Sequence, residues 1–289
     1  MVQEELDPRA ILQSLGMDNA TSITPVQGGY DTTIWRVDID GVSYALRVFR
    51  SGEEQFCHRE RQGMEAVAQI GLPVPRVHAE GNWQERPALL LSWMQDQTVG
   101  AVLSAKPWRA RKLGMMCGMA HARLHTIAVP ELLSQLPSDW IEWAPLEDGP
   151  LRKRLYEIGR QKSVLLHMDF HPFNLMTDGE KVTGILDWKI AHAGDPRADA
   201  ARTVSLLSVP TFGKVNIAEV LVRRIFLAGW RAGYQRQGGS LTEMSLFYAW
   251  AGAVLIYDLG ERVPARRLPG IKRWAARWRR QAEREMTKA

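Results

Sequence analysis

Cysteine is nearly absent. The 289-residue chain carries two, Cys57 and Cys117, in unrelated contexts with no paired spacing. That excludes a disulfide-stapled scaffold and leaves two reduced thiols, as in a cytosolic protein. Long apolar runs are missing as well. The longest, Phe247 to Tyr257, falls short of the about 20 residues needed to cross a bilayer, so no membrane partner is expected. The opening MVQEELDPRA is acidic and holds no apolar core of a secretory signal; the expected location is cytoplasmic. Repeats and low-complexity tracts are absent too, which argues against solenoid and disordered architectures.

What remains is the composition of an ordinary globular protein, 45% apolar and 24% charged, long enough for one large or two modest domains with a sizeable core. The net charge of +5 is unevenly placed. Glu261 to Ala289 holds ten Lys/Arg against three Glu, a net of +7 that leaves −2 for the rest. A cationic helix through Ile271–Glu285, with Trp274 and Trp278, would either cover the core with a solvated face or engage an acidic partner such as nucleic acid.

The most informative stretch is Leu165–Asp199, LLHMDFHPFNLMTDGEKVTGILDWKIAHAGDPRAD. Asp169 and Asn174 stand five apart in a segment broken by Pro172, which reads as a loop. Leu175–Thr177, an Asp178-Gly179 turn and a second strand over Val182–Leu186 form a hairpin. Its return brings Asp187 beside that loop. Two carboxylates and an amide oxygen converging there suit magnesium, a hard cation that shares its shell with phosphates.

His167-Met168-Asp169-Phe170-His171-Pro172-Phe173-Asn174, with Ile185-Leu186-Asp187-Trp188 and Gly194-Asp195-Pro196, resembles the aminoglycoside phosphotransferase/choline kinase group, the small-molecule branch of the protein-kinase-like fold. The resemblance implies a two-lobed α+β fold. Residues 1–94 would form a small N-terminal lobe with an antiparallel sheet and a helix, and 95–289 a larger, mostly helical lobe. It implies ATP and Mg2+ as cofactors, Asp169 as catalytic base, and Asn174 and Asp187 as metal ligands. Two departures stand out: the group usually has Gly where Met168 and Phe173 stand.

Taken in order, Asp7 to Leu15 reads as a helix with Asp7 as N-cap and Pro8 at its first position. Thr33–Ile39 and Val42–Phe49 read as antiparallel strands joined at Asp40-Gly41. Gly28-Gly29 sits where the first strand is expected to begin. Alone it reads as a turn; beside the 167–187 site it reads as backbone cover for a polyphosphate. By the resemblance, Arg47 takes the place of the phosphate-pairing lysine, with Glu60 on a helix over 53–70 as its partner. The carbonyl of Ser92 and the N–H of Met94 would meet the adenine edge. A long helix from Trp108 to Ile127 carries His121 and His125 at i, i+4. With no third ligand in that segment they read as helix packing beside the catalytic loop rather than as a zinc face. Glu131 to Gly149 is loop-rich, Asp199 resembles the aspartate that fixes the catalytic loop, and helices follow over 216–236 and 241–257. His167 and His171 read as braces of the loop.

The acceptor that the resemblance implies is a small-molecule hydroxyl, on an aminoglycoside or other antibiotic or on a metabolite alcohol. A polycationic acceptor would need acids such as Glu142, Glu147, Asp148, Asp195, Asp258 and Glu261; a neutral or anionic one stays open, as does the oligomeric state. Alternatives are an inactive nucleotide-binding regulator and a metallohydrolase built on His167, Asp169 and His171.

Overall fold

The computed structural model describes residues 6–26, 32–129, 133, 139–144, 149–159, 163–209, 216–259 and 263–288. The first part comprises α1 (Pro8–Ser14), β1 (Ala20–Pro25), β2 (Thr33–Ile39), β3 (Val42–Val48), α2 (Glu54–Gln69), β4 (Val77–Trp83) and β5 (Arg86–Ser92). The second comprises β6 (Gln97–Thr98), α3 (Val99–Ala105), α4 (Ala110–Leu124), α5 (Gly149–Gly159), β7 (Val164–Leu166), β8 (Leu175–Thr177), β9 (Val182–Ile185), β10 (His192–Gly194), α6 (Pro196–Ser208), α7 (Ile217–Arg236), α8 (Met244–Leu259) and α9 (Leu268–Met286). A small sheet part thus precedes a mostly helical one, the α+β division expected from the sequence.

The five strands of the first sheet run in the order β1-β2-β3-β5-β4, and every neighbouring pair is antiparallel. Asp40 and Gly41, both at positive φ, turn β2 into β3, as a two-residue hairpin requires. Side chains alternate between the faces. Trp35, Val37, Ile39, Leu46, Val48, Ala88 and Leu90 gather with Ile11 and Leu12 of α1 in one core. Leu89 and Leu91 point the other way and join Cys57, Met64 and Val67 of α2 in the main core. Arg47, between Leu46 and Val48, is carried by this alternation onto the α2 side, buried at 7% exposure.

Two expectations need correction here. The sheet begins with β1, before Gly28-Gly29, so the glycine pair falls between β1 and β2 rather than at the start of the first strand. Both glycines themselves lie outside the described residues. The helix expected over 241–257 starts later, at Met244. Of the stretch 131–149 expected to be loop-rich, the described residues include the 3-10 turn Trp140–Trp143 and Gly149, where α5 begins.

In the helical part α8 is buried nearly all round, Met244–Gly252 entire with Val254 and Leu255, and so forms the centre of the lobe. α9 packs Ile271 and Ala275 inward and leaves its basic residues exposed. The two cysteines are buried and unbonded. Among the described residues no helix is long and apolar enough to cross a membrane.

Candidate active site

The loop 167–174 leaves β7 and enters β8, and α6 holds it from behind. Asp195 caps α6 through the N–H of Arg197. One helical turn on, Asp199 is fully buried and accepts two loop amides: His167 N–H at 2.6 Å and Met168 N–H at 2.9 Å. Arg202 donates to the Met168 carbonyl at 3.3 Å and Thr203 to the Phe170 carbonyl at 3.0 Å. These three polar groups at i, i+3 and i+4 share one helix face. Arg202 and Thr203 escaped the sequence reading, although polar residues at that spacing inside an Ala-rich helix were the available signal. Burial would raise the Asp199 carboxyl, but His121 and His125 outweigh it and hold it well below the usual carboxylate range.

Met168 takes φ +69° in this loop, where the resembling group has glycine, and its side chain is fully buried. Met168→Gly would relieve about 1–2 kcal/mol of left-handed strain and forfeit about 2–5 kcal/mol of buried side chain. The variant is therefore expected to unfold at lower urea than the parent. A higher midpoint would show that strain dominates.

Asp169 projects from the same loop. Asn174 donates from Nδ2 to Asp169 Oδ2 at 2.9 Å and to the Asp169 carbonyl at 3.0 Å, which turns Asn174 Oδ1 away from it. His171 Nε2 lies 3.4 Å from Asp169 Oδ2. Burial would raise the Asp169 pKa, but His171, Arg202 and His167 bring it down to about 2. The same contact raises His171 against the opposing effect of burial.

The hairpin supplies the rest. Leu186 N–H donates to the Asn174 carbonyl at 2.8 Å, so Asp187 follows directly beside Asn174. Asp187 stands at φ +64° with its side chain 39% exposed. Arg47 bridges it to α2: Nη2 donates to Asp187 Oδ1 at 2.7 Å, and Nε lies 3.0 Å from Glu60 Oε2. Burial pushes the Glu60 carboxyl up, to about 7, against the pull of Arg47. Lys189 adds a second tie between the parts, 2.9 and 3.0 Å from the two Glu53 oxygens.

The structure thus brings Arg47, Glu60, Asp169, Asn174 and Asp187 together. Ser92 ends β5, where its hydroxyl accepts the Arg76 N–H at 2.8 Å. Met94 lies against Gly184 of the hairpin, its Cε 2.8 Å from where a Cβ would stand, so the linker touches the element that carries Asp187. Asn174 Oδ1 and the second Asp187 oxygen form an all-oxygen donor set, which fits magnesium.

The two loop histidines stand as the sequence leads one to expect. His167 Nε2 is 2.9 Å from the Leu186 carbonyl and its Nδ1 accepts the Asp169 N–H at 3.2 Å. His171 Nδ1 accepts the Phe173 N–H at 3.2 Å. Both brace the loop, and His167 keeps no nitrogen for the zinc a metallohydrolase would need. The acidic set foreseen for a polycation is matched by cations: Asp195 with Arg197 at 2.7 Å, Glu142 with Arg152 at 3.1 Å and Asp258 with Arg202 at 2.9 Å. Glu147, Asp148 and Glu261 lie outside the described residues.

Residues 22–247 match the model of a family described as the phosphotransferase enzyme family. A probable ketoamine kinase of Staphylococcus aureus is 26% identical over 112 residues, 39% of this chain and 36% of that protein. One of Thermus thermophilus is 27% identical over 90 residues, 31% of each. The match therefore spans about a third of these curated relatives' length. Among solved structures, a thermostable mutant of the aminoglycoside phosphotransferase APH(4)-Ia, in ternary complex with AMP-PNP and hygromycin B, superposes with a TM-score of 0.60 at 15% identity, covering 95% of both chains. A spectinomycin phosphotransferase in complex with ADP and spectinomycin gives 0.60 at 13% identity, covering 93% of this chain and 92% of that one. At such identities the likeness is one of fold, and the fold is protein-kinase-like.

Proposed function

Because the chain belongs to the phosphotransferase enzyme family, we propose that it transfers the γ-phosphoryl group of ATP to a hydroxyl of a small molecule. The observation that carries this reading is the convergence of Asp169, Asn174, Asp187 and Arg47 on one loop-and-hairpin corner facing the sheet. Phosphoryl transfer asks a protein mainly for positioning and charge neutralisation. Asp169 orients the acceptor hydroxyl and receives its proton. Arg47, held by Glu60, aligns the phosphates, while the Ser92 carbonyl and Met94 N–H meet the adenine edge. Bound magnesium, held by Asn174 and Asp187, would neutralise charge on the phosphates.

The paired acids favour an acceptor without dense positive charge. Ketoamines, the compounds in the names of the two curated relatives, are the first class to test. The deciding experiment is ADP release with ATP and magnesium across a panel of ketoamines, sugars and aminoglycosides. Release that depends on one hydroxylated compound supports the proposal; no release with any compound, together with no ATP binding, overturns it.

Asp187→Ala removes a ligand oxygen and the Arg47 partner at 2.7 Å. Magnesium-dependent ATP affinity should fall by about tenfold or more, the size of one charge-assisted contact of about 1.5–3 kcal/mol. Unchanged affinity at saturating magnesium in a binding titration would remove Asp187 from the ligand set.

A further inference from the structure

Behind the catalytic loop lies a closed cluster that phosphoryl transfer does not use in full. His121 and His125, one turn apart on α4, face Asp199 of α6. Nε2 of each imidazole lies 3.2 Å from Asp199 Oδ2, and one ligand atom from each of the three residues falls within 4.8 Å of the others. The side chains are 0%, 4% and 0% exposed in the order His121, His125, Asp199. The loop clamp accounts for Asp199, and a hydrogen bond to Asp199 accounts for His125. His121 is fully buried; its Nε2 meets the Asp199 oxygen at 3.2 Å, while its Nδ1 has no hydrogen-bond partner among the described residues. A buried polar group left in that state is costly and calls for a reason.

We propose that His121, His125 and Asp199 bind a zinc-type metal ion, separate from the magnesium of the transfer site, that ties α4 and α6 together behind the loop. The donor set of two imidazoles and one carboxylate suits zinc rather than magnesium or calcium. The spacing suits it as well: bonds of about 2.0–2.1 Å in a tetrahedron set ligand atoms roughly 3.3 Å apart, close to the two 3.2 Å edges here. His125 is held at its other nitrogen, where Nδ1 is 2.7 Å from the Tyr234 hydroxyl, as metal-binding histidines are. The Phe170 ring stacks on His121 with centroids 4.0 Å apart, and Trp230 and Tyr234 stand at 5.7 Å. This aromatic wall closes the site to substrate, and with three protein ligands a water would complete the tetrahedron. The rival arrangement is a metal-free cluster in which the imidazoles serve Asp199 as hydrogen-bond donors alone.

The test is metal analysis of the full-length protein, purified from zinc-supplemented medium without chelator. About one zinc per chain is expected, falling at least tenfold in His121→Leu, a substitution that preserves apolar volume beside Phe170. Zinc added to chelator-stripped protein should raise the Tm of the parent but not of the variant. Should His121→Leu fail to fold, His121→Gln gives the same reading with a polar side chain. Less than one-tenth zinc per chain with no uptake on titration overturns the proposal, as does equal zinc in parent and variant. Neither readout depends on ATP or on an acceptor.

Discussion

Asp169→Asn is expected to lower phosphoryl transfer by about 10²–10⁴-fold, the usual worth of a positioned acid–base group, while ATP binding survives. The geometry sets that expectation. Asp169 is the one carboxylate on the loop, fixed by Asn174 at 2.9 Å, and its neighbours hold it ionised with a pKa of about 2. Asparagine keeps the size and loses the charge that orients and accepts the proton. A variant that turns over within tenfold of the parent would sink the base assignment. The low pKa adds a second expectation. An acid limb in the rate profile between pH 5 and 7 belongs to another group, because Asp169 stays charged throughout. Its sign in stability follows: a carboxylate with a depressed folded pKa contributes fully above its unfolded value near 4, and that contribution is lost as pH falls through about 2.

The parts of this site legible in the sequence are those encoded by neighbours in the chain. Pro172 in the loop, the Asp178-Gly179 turn and the apolar runs beside it place Asp169, Asn174 and Asp187 without any long-range information. The structure reproduces their hairpin, with Leu175 opposite Ile185. The Arg47–Glu60 pair was reached through the family pattern, since nothing local links a strand residue to a helical one. Less legible were contacts made across the fold. Asp195 reads in the chain as a free acid near the site, yet it is fully buried beneath Arg197, a pairing only the packing reveals. His121 and His125 lacked a third ligand because Asp199 lies 74 residues beyond His125 in the chain. α5 is not legible in the chain because Pro150 is as common in loops as in the first turn of a helix, where a missing N–H costs nothing.

Gly118→Ala is expected to destabilise the protein by about 2–3 kcal/mol, within the range of overpacked cores, although local propensity says the opposite. In an exposed helix the change would gain about 1 kcal/mol. Here α4 and α7 run side by side in the same direction, and two pairs of glycines four apart set their separation. A Cβ at Gly114 would stand 2.1 Å from the Phe226 carbonyl oxygen, and one at Gly118 would stand 2.0 Å from that of Trp230. From the other side, a Cβ at Gly229 or Gly233 would stand 2.3 or 2.0 Å from the carbonyl oxygen of Arg111 or Met115. Every obstacle is backbone, so no rotamer change relieves it, and the helices must move apart by about 1 Å or more to reach van der Waals contact. That movement loosens the Trp230 and Tyr234 packing and draws the Tyr234 hydroxyl from His125, now 2.7 Å apart. His125 bears on Asp199, and Asp199 holds the catalytic loop, so turnover should fall along with stability. The Tm should drop by roughly 4–12 °C at about 2–4 °C per kcal/mol. A Tm equal to or above the parent's would mean that propensity, not the close approach of the two backbones, governs this helix pair.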